Sequence, residues 1–119
     1  MSKKIILLLI SLLYYSNLHA KNDFVPGIAD LPVPASFYLD SESSSIYNDN
    51  YGRLVTASFI GKAKQEEILD FYYKTLPALG WKKEEFLHFS REGEILTINI
   101  IAKNQEELII NFQLNPASD

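Results

Sequence analysis

The chain has 119 residues, 22% of them charged, with two histidines, no cysteine and a formal net charge of −4. Without cysteine there is no disulfide, thiolate metal site, thiol nucleophile or lipoprotein-type lipid attachment. The acidic balance argues against nucleic acid and anionic membrane surfaces, both of which attract clustered Lys and Arg.

Residues 1–20 follow the three-part plan of a secretory signal peptide. Lys3 and Lys4 are the basic start, Ile5 to Leu13 is an apolar run broken only by Ser11, and a smaller, more polar stretch ends at Ala20. The apolar run is shorter than the roughly 20 residues that span a bilayer as a helix. The expectation is export, to the periplasm in a Gram-negative cell, with cleavage after Ala20 and no membrane anchor left behind. Retention as an uncleaved N-terminal anchor is the alternative. Cleavage would remove Lys3 and Lys4, leaving 9 basic against 15 acidic residues and a net charge of −6.

Residues 21–35 contain Pro26, Pro32, Pro34 and Gly27, which predict an extended arm. Its apolar residues Phe24, Val25, Ile28, Leu31 and Val33 predict that the arm docks on the body or on a partner. A short strand is expected over 36–40, around Phe37 and Leu39, followed by a polar loop or hairpin tip over 41–52. Alternation over 53–60 puts Val55, Ala57 and Phe59 on one face, expected to meet a helix.

That helix is expected over 64–76, with Ile68, Phe71, Tyr72, Leu76 and Leu79 on one stripe and Gln65, Glu66 and Glu67 in the first turn. Pro77 and Gly80 end it, with a last tighter turn through Ala78 and Leu79, and Trp81 is positioned to seal the core. Three strands follow: 82–90; then 95–102 after a turn at Arg91-Glu92-Gly93-Glu94; then 108–114, with Ile110, Phe112 and Leu114 inward and Asn111 and Gln113 outward. The fold class is α+β, a two-layer sandwich. About five antiparallel strands in the order β-β-α-β-β-β form a meander with one helix on one face. The domain spans 36–115, and 116–119 is a tail.

Catalytic signatures are sparse. His88 is the one histidine after Ala20 and lies in a strand, which excludes a multi-histidine metal site. No nucleophile-elbow pattern surrounds a serine. The pairs Glu66/Glu67, Glu84/Glu85 and Glu106/Glu107 are adjacent residues that diverge in direction. Neither a calcium-loop register nor a glycine-rich phosphate cradle occurs, and no cofactor or metal is expected. Arg53, with Arg91 and Glu92, is noted because an arginine can fork to a carboxylate inside the fold or on a ligand.

Gly52-Arg53-Leu54-Val55, Phe71-Tyr72, Leu76-Pro77-Ala78-Leu79-Gly80-Trp81 and Phe89-Ser90-Arg91-Glu92-Gly93-Glu94-Ile95-Leu96 together resemble a family of small uncharacterised exported proteins of alphaproteobacteria, over about 24–115. The resemblance implies a periplasmic compartment and brings no activity or site. The layout of a helix ending in Gly-Trp before strands is also similar to envelope modules such as the C-subunit lipoprotein of the outer-membrane barrel-assembly machinery. The missing lipid-bearing cysteine departs from that lipoprotein.

The function expected on these grounds is a non-enzymatic periplasmic module that binds a protein or envelope component. Its candidate surface is Phe24, Val25, Phe37, Tyr38, Tyr47, Tyr51, Arg53 and Tyr73. The alternatives are a small-ligand carrier, with a pocket between helix and sheet lined by Phe59, Tyr72, Phe89 and Phe112, and an enzyme using His88 or Arg53. Open strand edges leave room for a homodimer.

Overall fold

A computed structural model describes residues 24–118. The signal-peptide expectation and the start of the arm, residues 1–23, lie outside the described residues. The elements are β1 (Phe37–Asp49), β2 (Gly52–Lys62), α1 (Gln65–Ala78), β3 (Lys82–Glu85), β4 (His88–Arg91), β5 (Glu94–Ala102) and β6 (Glu107–Pro116). The strands form one antiparallel sheet in the order β1-β2-β6-β5-β4-β3, an α+β fold with its helix on one face. The helix carries the chain from β2 to the far edge of the sheet. Four strands then fold back until β6 closes against β2, with Ala57 opposite Phe112.

This topology corrects the simple meander, and two local corrections accompany it. The stretch 82–90 is a tight hairpin, Lys82 pairing with Ser90 and Glu85 with His88, so the sheet has six strands. The turn uses Leu87 at φ 57, a conformation costly for leucine. Tertiary contacts hold it there: Leu87 is buried, its amide donates to the Tyr73 hydroxyl at 3.2 Å, and its carbonyl accepts the Ile98 amide at 3.0 Å. The polar stretch 41–52 is mostly strand, because β1 continues to Asp49 beyond a register shift between Asp40 and Ser45. Within that bulge the Ser43 hydroxyl donates to the Asp40 carbonyl at 2.6 Å and accepts the Ser58 amide at 2.8 Å. A serine side chain thus replaces ladder bonds that the backbone leaves unmade.

The helix runs through Pro77 to Ala78, further than the sequence predicts. Its closure is a Schellman motif: the Trp81 amide donates to the Leu76 carbonyl at 3.0 Å and the Gly80 amide to that of Pro77 at 3.1 Å. Gly80 supplies the required positive φ of 90. The turn between β4 and β5 likewise uses positive φ at Glu92 and Gly93, the geometry of a type I′ hairpin turn.

One sheet face carries Val55, Ala57, Phe59, Phe89, Leu96, Ile98, Ile110, Phe112 and Leu114, all buried. Ile68, Tyr72 and Leu76 of α1 cover it together with Trp81. The Phe112 ring packs edge-on to those of Phe59 and Tyr72, at centroid distances of 5.9 and 5.7 Å. Phe59, Tyr72, Phe89 and Phe112 therefore fill the layer between helix and sheet with their own side chains. The segment 24–33 completes the covering. Val25, Ile28, Leu31 and Val33 are each 3% exposed or less and belong to the same core.

Three polar side chains of the body fasten this segment. Arg53 donates to the Gly27 carbonyl at 2.6 Å, and Tyr72 to that of Pro32 at 2.9 Å. Arg91 donates to the Asp30 carboxylate at 3.1 Å and the Ala29 carbonyl at 3.4 Å. The Arg91 guanidinium also donates to the helix-end carbonyl of Leu79 at 2.9 Å and lies 4.3 Å from the centre of the Trp81 ring. Burial pushes the Tyr72 phenol far above its ordinary value.

Because the folded-state value is raised, the contribution of Tyr72 to stability is full below the unfolded pKa of 10.0 and is lost as pH rises toward the folded value. Urea unfolding should show stability falling above pH 10 by up to ~1.4 kcal/mol per pH unit from this group. Tyr72→Phe should cost ~1–2 kcal/mol at neutral pH, from the unpartnered Pro32 carbonyl, and should lack that alkaline slope. Identical slopes in the two proteins would remove Tyr72 as its source.

Candidate functional site

Among the described residues, the helix and the segment 24–33 cover one face of the sheet and no element covers the other. Since β2, β6 and β5 bury alternate residues, their remaining side chains point to the open face. Cross-strand register arranges them in rows. Tyr38, Ile60, Ile109 and Ile101 form an apolar row at one end. Next come Asp40, Ser58, Asn111 and Asn99, then Ser45, Thr56, Gln113, Thr97 and His88. Tyr47 with Leu54, and Asn115 with Ile95 and Ser90, close the other end.

Between Leu54 and Ile60 on β2, and across β6, β5 and β4, no outward position carries Asp, Glu, Lys or Arg. That is unusual for a chain in which 22% of residues are charged. The charges lie at the ends and edges instead, as with Lys62 and Glu106, 3.5 Å apart, and the exposed β3 residues Lys82 to Glu85.

The centre of this face is a concavity of about 540 Å³. Thr56, Ser58, Thr97, Asn99, Asn111 and Gln113 line it, with Phe86, Leu87 and His88 along one side. The Ser58 hydroxyl donates to the Asn111 side-chain oxygen, which leaves the Asn111 amino group free to donate. Gln113 donates to Asn115 at 3.3 Å. The side chains of Thr97 and Asn99 have no hydrogen-bond partner among the described residues. His88 Nδ1 lies 2.8 Å from the Phe86 carbonyl. A carbonyl only accepts, so Nδ1 donates to it and Nε2 is the ring atom left without a partner among the described residues. Glu85 is 4.0 Å from that imidazole, and the nearby Ser90 hydroxyl donates to Glu84, not to His88. The imidazole is therefore not linked to a serine as a nucleophile–base pair requires.

The residues singled out from sequence do not form one surface. Val25 and Phe37 are core residues, 2% and 3% exposed, and present nothing to a partner. Tyr38 and Tyr47 are exposed on β1 at the edge of the open face. Tyr51, 88% exposed, sits at the β1–β2 turn, where its amide donates to Asp49 at 2.8 Å. Phe24 is exposed beside Pro32, on the segment that covers the core.

Tyr73 holds the β3–β4 turn: its hydroxyl accepts the Leu87 amide, its ring lies 5.8 Å from that of Phe89, and the Lys83 ammonium is 4.8 Å from its centre. Arg53 forks to Glu94 at 2.8 and 3.0 Å, an internal pair whose partner is Glu94 and not Glu92. Hydrogen bonding to Glu94 raises the Arg53 pKa.

The open-face residues Thr97, Asn99, Asn111 and Gln113 were not among the candidates. Their signal is the uncharged outward half of each alternating strand, a pattern visible only once register joins the strands. Among the described residues, no group of three or more His, Asp or Glu side chains could hold a metal ion. No described helix is long and apolar enough to cross a membrane. No protein-family model, curated protein or solved structure matches this chain.

Arg53 and Glu94 are each only partly shielded, with side chains 36% and 24% exposed. A double-mutant cycle with Arg53→Met and Glu94→Gln should give a coupling of about 1 kcal/mol, toward the upper end for a bidentate pair at this exposure. A coupling within error of zero would mean that Arg53 acts through Gly27 alone.

Proposed function

We propose that this chain is a non-enzymatic interaction module of the bacterial envelope, exported and freed of residues 1–20, that engages its partner through the open face of the sheet. The observation that carries the reading is the absence of charged side chains across the middle of that face. Solvated sheet faces are normally studded with Lys and Glu, whereas binding surfaces are depleted of them at their centre. Exposed Ile101, Leu54, Tyr38 and Tyr47 at its ends and edge add apolar contact area next to a polar middle. The apolar arm contributes little surface to a partner, since most of its large side chains are inside the core. Export rests on the sequence of residues 1–20 and agrees with the envelope compartment implied by the family resemblance.

A photo-crosslinking residue at position 97, in the middle of the open face, should yield a discrete adduct in intact envelopes. The same residue at position 74, on the exposed side of α1, should not. Matching adduct patterns from the two positions would sink the assignment of the face.

A further inference from the structure

We infer that the open face binds a neutral glycan, an uncharged polyhydroxylated chain lying in its concavity; this rests on the open face being the interaction surface. The open-face side chains that line it carry hydroxyl, carboxamide and imidazole groups, with Phe86 and Leu87 along one side. An apolar occupant would strand these groups, because a buried polar atom without a partner costs ~1–3 kcal/mol. Apart from His88, the wall carries no Asp, Glu, Lys or Arg side chain to pair with an anionic or cationic occupant. What remains is a ligand that is neutral and both donates and accepts, as a sugar hydroxyl does.

The free valences match that requirement. Thr97 offers a hydroxyl, Asn99 a donor and an acceptor, Asn111 its amino group and His88 its unpaired Nε2. Antiparallel pairing sets Asn111 beside Asn99, and Gln113 beside Thr97, on strands about 4.8 Å apart. The groups thus repeat across the sheet and suit a chain laid across the strands. Phe86, 61% exposed at the side of the concavity, supplies an apolar surface for the C–H face of a sugar ring. The volume, about 540 Å³, falls within the roughly 300–1,000 Å³ of small-ligand sites. The apolar rows at either end, Ile60 with Ile109 and Leu54 with Ile95, bound the polar band on both sides.

The test is an NMR titration of the isotopically labelled protein with neutral oligosaccharides (N-acetylglucosamine and glucose tetramers) and with an acidic galacturonate tetramer as contrast. Saturable shifts confined to Phe86, His88, Thr97, Asn99 and Asn111 are expected with at least one neutral tetramer and not with the acidic one. Asn99→Asp, an exposed change that leaves the core intact, should weaken that binding about tenfold or more. Lys74→Glu on the helix should leave it unchanged.

The inference is overturned if neither neutral tetramer shifts the open face at millimolar concentration, or if Asn99→Asp binds as tightly as the parent. It is also overturned if the face shifts with protein concentration alone, which would make a second copy the occupant. A protein adduct from position 97 with no sugar binding would overturn the glycan inference while leaving the interaction module standing; failure of both experiments would remove both.

Discussion

The fold depends on how the segment 24–33 is held against the core. A six-strand sheet with a single helix has more inward apolar surface than that helix covers. Val25, Ile28, Leu31 and Val33 supply the rest. Burying an aliphatic side chain contributes ~1.5–3 kcal/mol, so even a discounted sum over these residues is comparable to the whole stability of a small domain, ~5–15 kcal/mol. A segment with few backbone partners of its own needs others, and the body provides them. Both arginines of the chain and the buried Tyr72 hydroxyl reach its carbonyls or its carboxylate.

This arrangement explains the asymmetry of the two faces. The buried apolar side chains are gathered on the helix side, and Trp81 with its overlying Arg91 ties the helix end, β4 and the segment together. Among the described residues, the opposite face receives no covering element. Its middle is neutral and polar, its ends are apolar, and charge is confined to margins such as Lys62 with Glu106. A face of this kind is hydrated yet presents no electrostatic barrier to an uncharged partner, which distinguishes it from the acidic remainder of the surface.

Much of the fold is legible in the sequence where a local rule decides the structure. The Pro77-to-Gly80 closure, the Glu92-Gly93 turn and the alternation of Ile110, Phe112 and Leu114 each follow from backbone preference or from a period of two. The turn at Phe86-Leu87 is not legible, because neither residue favours a turn; Tyr73 and Ile98, distant in sequence, impose it. The bulge at Ser41 to Ser44 resembles a loop by composition and becomes strand because Ser43 substitutes for backbone partners. The pairing of β2 with β6 is a long-range choice that no single segment announces.

The candidate site follows the same division. Val25 and Phe37, candidates for the partner surface, are interior, since hydrophobicity alone does not say whether a side chain docks on the body or on a partner. For Arg53 the sequence leaves open a carboxylate inside the fold or on a ligand, because Glu94 meets it only across the tip of β6. Asn99 and Thr97 are not legible as a site in the sequence, because they become a surface only through register with Asn111 and Gln113.

Native-state hydrogen exchange of the Val25 amide, which donates to the Leu31 carbonyl at 3.0 Å, tests most directly whether the segment 24–33 belongs to the core and so leaves the open face as the interaction surface. The account predicts exchange through global unfolding, with an opening free energy equal to that of the Ile98 amide on β5. Exchange of Val25 through a local opening several kcal/mol below that of Ile98 would contradict it and make the segment a detachable arm.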